Sequence, residues 1–223
     1  MKKVLLALIA LALASLACSL VSAGGTGSTG TSQPVSNKTV LFSDDFSDTG
    51  SGWDSYTSDD GTVVTDYVNG SYRVFVNKPK YLAWANPGKS FDGDVVVGAD
   101  VTKSGGPEDN EFGLICRYKD ENNFYVFKAS SDGYAQIGKY SGGDFSGLTG
   151  DQMEQVSGLN SGSAVNHLRA DCVGDTLTLY VNNNKVMTTT DSELTSGDVG
   201  VYAGTFDTAG TDVLFDNFSV TKP

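Results

Sequence analysis

The chain has 223 residues, 39% of them hydrophobic and 19% charged, enough apolar content to bury a core and to exclude a compositionally disordered protein. Lys and Arg number 15 against 27 Asp and Glu, and the resulting net charge of −12 excludes a phosphate-rich partner such as nucleic acid. The 27 glycines, together with abundant Asp, Asn, Ser and Thr, point to short strands joined by tight turns.

Met1-Lys2-Lys3 is a basic start, and Val4–Ala17 is an apolar run whose length suits a secretory signal peptide better than a membrane span. Two processing sites follow it. Ser15-Leu16-Ala17-Cys18 resembles the bacterial lipobox, in which the cysteine becomes the acylated N-terminus, with Ser15 standing where that motif prefers Leu. Val21-Ser22-Ala23 instead fits ordinary signal peptidase. Residues 24–37 (GGTGSTGTSQPVSN) have the composition of a flexible tether, which is useful only to something anchored, so lipidation at Cys18 is favoured. The expected organisation is a signal peptide over 1–17, a tether over 18–38 and one domain over 39–223, lipid-anchored to the extracytoplasmic side of the bacterial cell membrane. A soluble secreted protein and an uncleaved signal anchor are the alternatives.

From Thr39 onward, period-2 alternation is broken by turn residues about every 8 to 12 positions, the pattern of an all-β sandwich or barrel. Val40–Phe46 opens the domain and Val213–Val220 closes it, and such terminal strands are expected to pair. The clearest hairpins join 112–118 to 124–129, then 134–140, and join 167–172 to 176–181, then 185–190. Of the three cysteines, Cys18 is removed by either processing route, which leaves Cys116 and Cys172 as candidates for one disulfide in an oxidising compartment.

No catalytic constellation emerges. His167 is the only histidine, and no paired-histidine metal motif, CxxC, P-loop or G-x-S-x-G elbow occurs. The acids Glu108, Asp109 and Glu111 follow Gly105-Gly106-Pro107 and read as a solvated loop; they are the least unlikely acid and base of a glycoside-processing enzyme. Strict alternation places Gly113, Ile115 and Arg117 on one strand face and Leu114, Cys116 and Tyr118 on the other, while Phe124, Val126 and Lys128 share a face. Arg117, Lys128 and Lys139, with Tyr81, Trp84, Tyr125 and Tyr134, are therefore candidates for a ligand surface outside the core. Aromatic rings stack on sugar rings, and gathered cations would favour a glycan carrying carboxylates.

Asn123-Phe124-Tyr125-Val126-Phe127, Asn166-His167-Leu168-Arg169-Ala170-Asp171-Cys172, Gly197-Asp198-Val199-Gly200-Val201 and Phe215-Asp216-Asn217-Phe218, with 112–118, 132–134 and 179–182, resemble successive landmarks of the concanavalin A-like lectin/glucanase jelly roll. Its bacterial surface branch, which also resembles laminin G-type and 3-keto-disaccharide hydrolase domains, is the nearest. The resemblance covers nearly all of 40–221 and implies a two-sheet antiparallel sandwich. It also implies a structural calcium at Asp216, with Asp44 or Asp45 beside it if the terminal strands pair; the alternative is an Asp216 that accepts backbone hydrogen bonds at a bend. The glucanase motif E-x-D-x-x-E is missing from the sequence. The expectation is a non-enzymatic surface module that binds a carbohydrate or another surface polymer. A glycoside-processing enzyme and a structural domain without a small ligand are the alternatives.

Overall fold

Alternation of apolar and polar residues becomes seventeen strands in the computed structural model, which describes residues 38–223. The expected signal peptide, the lipidation candidate Cys18 and the expected tether up to residue 37 lie outside the described residues. The first seven strands are β1 (Val40–Asp44), β2 (Tyr56–Thr57), β3 (Val63–Val68), β4 (Ser71–Val76), β5 (Leu82–Ala85), β6 (Phe91–Asp92) and β7 (Val95–Gly105). There follow β8 (Asn110–Asp120), β9 (Asn123–Ala129), β10 (Tyr134–Ser141), β11 (Asp144–Gly147) and β12 (Glu154–Gln155). The last are β13 (Asn166–Val173), β14 (Thr176–Val181), β15 (Asn184–Thr190), β16 (Ser196–Thr205) and β17 (Thr211–Thr221).

They form two antiparallel sheets. A nine-stranded sheet runs β15-β14-β13-β7-β17-β4-β3-β2, with β1 also on β17; an eight-stranded sheet runs β11-β10-β9-β8-β16-β5, with β12 on β10 and β6 on β16. The expected hairpins all form, and the terminal strands pair with Asp44 opposite Phe218. The core lies between the sheets. Val97, Ala99 and Val101 of β7, and Leu168, Ala170 and Cys172 of β13, meet Leu114 and Cys116 of β8 and Phe127 of β9. Cys116 and Cys172 form a disulfide that ties the two sheets, with Cα atoms 6.9 Å apart. In the chain-entropy picture, closing a loop of 56 residues contributes about 4 kcal/mol.

Two of the bulges override strict alternation at residues expected to be functional. On β17 the register with β7 slips between Asp216 and Ser219, where Asn217 takes φ 50°. Asn and Asp tolerate this left-handed conformation better than most residues. The extra residue lets Phe215 and Phe218, three apart, both enter the core. On β8 the register with β16 slips between Ile115 and Tyr118, and Arg117 takes φ 55°. Arg117 is the extra residue, and everything after it changes face.

Candidate functional site

The outer face of the eight-stranded sheet carries a layer of aromatic rings. Alternation along β9 and β10 brings Phe124 and Tyr140 to this face, where their rings stack with centroids 4.7 Å apart. The β8 bulge adds Tyr118, 5.6 Å from Phe124; Trp84 of β5 approaches Phe124 to 5.7 Å, and Phe145 of β11 approaches Tyr140 to 5.3 Å. The row therefore draws its rings from five strands and spans the sheet from β11 to β5. Ile115, Val126 and Tyr202 beneath it are buried, as is Phe124 within the row. Glycines make room for it: a side chain at Gly138 would collide with the Phe145 ring, and one at Gly113 would come within 2.9 Å of Tyr202.

A cavity of about 520 Å³ opens at the Phe145 end of this row. Lys128 and Gln136 line it beside the exposed rings of Tyr134 and Phe145, and Asp109, Asp132 and Asp151 add carboxylates. The Lys128 ammonium is 4.0 Å from the Phe145 ring centroid, a cation–π contact, and 2.7 Å from Glu111 Oε2. Both charged side chains of that ion pair are buried. The ammonium is close but not aligned, so Glu111 Oε2 lacks a hydrogen bond, as does the buried Tyr202 hydroxyl. Burial, followed by the Glu111 and Tyr140 charges, raises the Tyr202 pKa well above the ordinary tyrosine value. Burial and Glu111 raise that of Tyr140 to about 12.

The residues expected on one ligand surface divide among several places. Lys128, Tyr134 and Trp84 lie on this outer face, and Tyr81 is exposed just before β5 with Lys78 over its ring. Arg117 does not belong there. The bulge sends its side chain between the sheets, where the guanidinium donates to the carbonyls of Leu194, Cys172 and Gly174. Tyr125 is also a core residue; its hydroxyl donates to Asp191 and accepts from the Leu194 amide. Lys139 follows Ala135 and Ile137 along the core-facing side of β10 and is held by Asp191 and Glu193 at 2.7 and 2.6 Å. Burial lowers the Lys139 pKa, but the two carboxylates outweigh it and the net shift is upward. The cations that suggested an acidic ligand are thus neutralised or buried: Lys128 by Glu111, Lys139 by Asp191 and Glu193, and Arg117 in the interior.

Glu111 is likewise not in a solvated loop but on β8, and Glu108 is bonded to Lys103 and accepts the Gly162 amide. His167 lies on the outer side of the nine-stranded sheet, with Nδ1 2.7 Å from Asp100.

Asp44 and Asp45 border one surface cavity with Asn217, and each acid expected to hold calcium has local hydrogen-bond partners. Asp44 turns inward, and its carboxylate accepts hydrogen bonds from the Phe46 amide at 2.8 Å and Trp53 Nε1 at 2.9 Å. Asp45 is bonded by the Ser47 hydroxyl and amide, which lower its pKa. Asp216 accepts from the Asn217 amide at the bulge, on the face opposite Asp44. Among the described residues, no group of three or more His, Cys, Asp and Glu is placed to hold a metal ion.

The residues missed from sequence are Phe145, Tyr118 and Gln136. Tyr140 and Gln136 share parity with Tyr134 along β10, and the Gly142-Gly143 hairpin signal sets Phe145 opposite Tyr140. Those local signals could have found Phe145 and Gln136; Tyr118 depends on the bulge.

Comparison with known proteins sharpens the fold. No family model matches the chain and no curated protein does. Solved structures match over most of it. The carbohydrate-binding module CBM66 from Bacillus subtilis is 17% identical, with a TM-score of 0.56, covering 77% of this chain and 96% of that one. A Bacillus subtilis protein of unknown function with a galectin-like fold is 10% identical at a TM-score of 0.62, covering 82% and 96%. The β-glucanase of Bacillus licheniformis is 10% identical at 0.59, covering 82% and 98%. Identities this low establish architecture alone. The two antiparallel sheets, their order and these neighbours together make the domain a concanavalin A-like jelly-roll sandwich.

Proposed function

We propose that the domain is a non-catalytic carbohydrate-binding module, displayed outside the cell on a lipid anchor at Cys18, and that it takes a neutral carbohydrate on the outer face of the eight-stranded sheet. The cavity beside Phe145 carries this reading. It joins exposed aromatic rings to a few convergent polar groups, the combination that recognises a sugar's apolar ring face and its hydroxyls. Three carboxylates and a neutralised lysine disfavour a polyanion and suit hydroxyl donors. Of the three acids expected of an enzyme, Glu108 and Glu111 are each engaged by a lysine, and Asp109 lines the cavity. Similarity in fold to a carbohydrate-binding module and to a glucanase is compatible with this assignment.

Affinity electrophoresis through gels containing neutral or uronic-acid polysaccharides tests it, with reducing-sugar release measured in parallel. Retardation by a neutral polymer, abolished in Phe145→Ala and unaccompanied by sugar release, is the expected result. Retardation by uronic-acid polymers alone, no retardation by any polymer, or steady release of reducing ends would overturn the proposal.

A further inference from the structure

The Phe145 cavity is not isolated. Phe206 borders both it and a second cavity of about 370 Å³, and the Glu111–Lys128 pair forms the wall they share, with Lys128 lining the first and Glu111 the second. Tyr81 and Leu82 border that second cavity and also a third, of about 500 Å³. The third runs along β5, the last strand of the eight-stranded sheet, toward β2, the last strand of the other. Tyr56 on β2 is 57% exposed and Tyr81 is 43% exposed, large rings left in water where the core has no use for them. Trp84 lines the same groove and belongs to the outer-face aromatic row.

We propose that these three cavities form one track, and that its ligand is a linear, neutral polysaccharide bound along several units, from the Phe145 cavity past Glu111 to the Tyr56–Tyr81 groove at the sandwich edge. The inference rests on the carbohydrate reading above and extends it. Each cavity is within the range that holds a small ligand, and residues shared between neighbours make the path continuous. Charge selects the polymer class. No lysine or arginine lines the edge groove, where Asp54 and Glu121 contribute carboxylates, and the lysine of the middle cavity, Lys80, is 3.0 Å from Asp207. A polyanion would meet more carboxylates than ammonium groups along the track, even with Lys78 over the Tyr81 ring, whereas hydroxyls find acceptors and sugar faces find rings.

Linking subsites makes the second contact intramolecular, so affinity rises with chain length until the track is filled. The test is calorimetric titration of the whole domain with cello-, xylo- and galacto-oligosaccharides of two and six units. It is run on the parent, on Phe145→Ala and on the double variant Tyr56→Ala/Tyr81→Ala, whose side chains are exposed and leave the core untouched. The parent should bind the six-unit form of one series at least about tenfold more tightly than the two-unit form. The double variant should lose that advantage while binding the two-unit form unchanged. Equal affinity for both lengths, or an unaltered advantage in the double variant, overturns the track but leaves the Phe145 site standing. Failure of every oligosaccharide to bind the parent overturns both.

Discussion

Arg117 reaches across the sandwich to Gly174: its guanidinium donates to the glycine carbonyl over 2.9 Å, from β8 in one sheet to the β13–β14 turn in the other. The same group bonds the Leu194 and Cys172 carbonyls, and Asp94 is 3.5 Å away. Only 2% of its surface is exposed. It forms a polar clamp beside the Cys116–Cys172 disulfide, so the two sheets are joined by a covalent link and a charged one at neighbouring positions of the same strands.

Arg117→Ala should lower stability to chemical denaturants by about 3 kcal/mol or more, since several buried carbonyls lose their donor. Arg117→Lys should recover little, because an ammonium cannot reproduce the planar fork. The folded fraction of either variant should retain the parent's carbohydrate affinity. A loss of affinity without a loss of stability would return Arg117 to the ligand.

Lys128 and Glu111 should behave as a buried couple. Lys128→Met strands the Glu111 carboxylate and should cost about 3 to 5 kcal/mol, while the double variant Lys128→Met/Glu111→Gln should regain most of it. Denaturant midpoints of the four proteins of this cycle provide the measurement, and additive losses would show that the two side chains do not interact.

Asp44 holds the first strand by accepting from the Phe46 amide and the Trp53 indole. Asp44→Ala orphans two donors and should cost about 1 to 3 kcal/mol, with a change in Trp53 fluorescence. A calcium chelator should leave the melting temperature of the parent unchanged. A lower temperature in chelator, restored by added calcium, would show that an ion is held after all.

Alkaline pH should weaken the domain through its buried phenols. Burial, reinforced by the Asp191 hydrogen bond, raises Tyr125 to about 12, and burial with the Glu111 charge raises Tyr140 to about 12. In the unfolded chain both titrate near 10. Between these values the folded state holds more protons, so stability is fully present below about pH 10 and falls as pH rises toward 12. Denaturant titrations across that window, with phenolate absorbance followed in parallel, should show late ionisation and falling stability. Ionisation of all tyrosines near 10 with no loss of stability would contradict the burial.

The strands, their hairpins, the terminal pairing of Val40–Asp44 with 218–221 and the Cys116–Cys172 partnership were legible in the sequence. Each depends on local information: alternation two residues apart, Gly and Asn at turns, and two cysteines within the strand-rich segment. The face of each side chain was legible only until the first bulge. One extra residue at Arg117 moved it inside and brought Tyr118 out, and another at Asn217 separated Asp216 from Asp44. Bulges form where the two strands and the opposing sheet favour them, and those partners are distant in sequence. The partners of Lys139 lie more than fifty residues away at Asp191 and Glu193, and Lys128 finds Glu111 only because β8 and β9 pair. Composition and alternation determined that this chain would be a two-layer β-sandwich. Packing between the layers decided which of its few cations were still available to a ligand, because hydrogen-bond and charge pairing depend on proximity in space rather than along the chain.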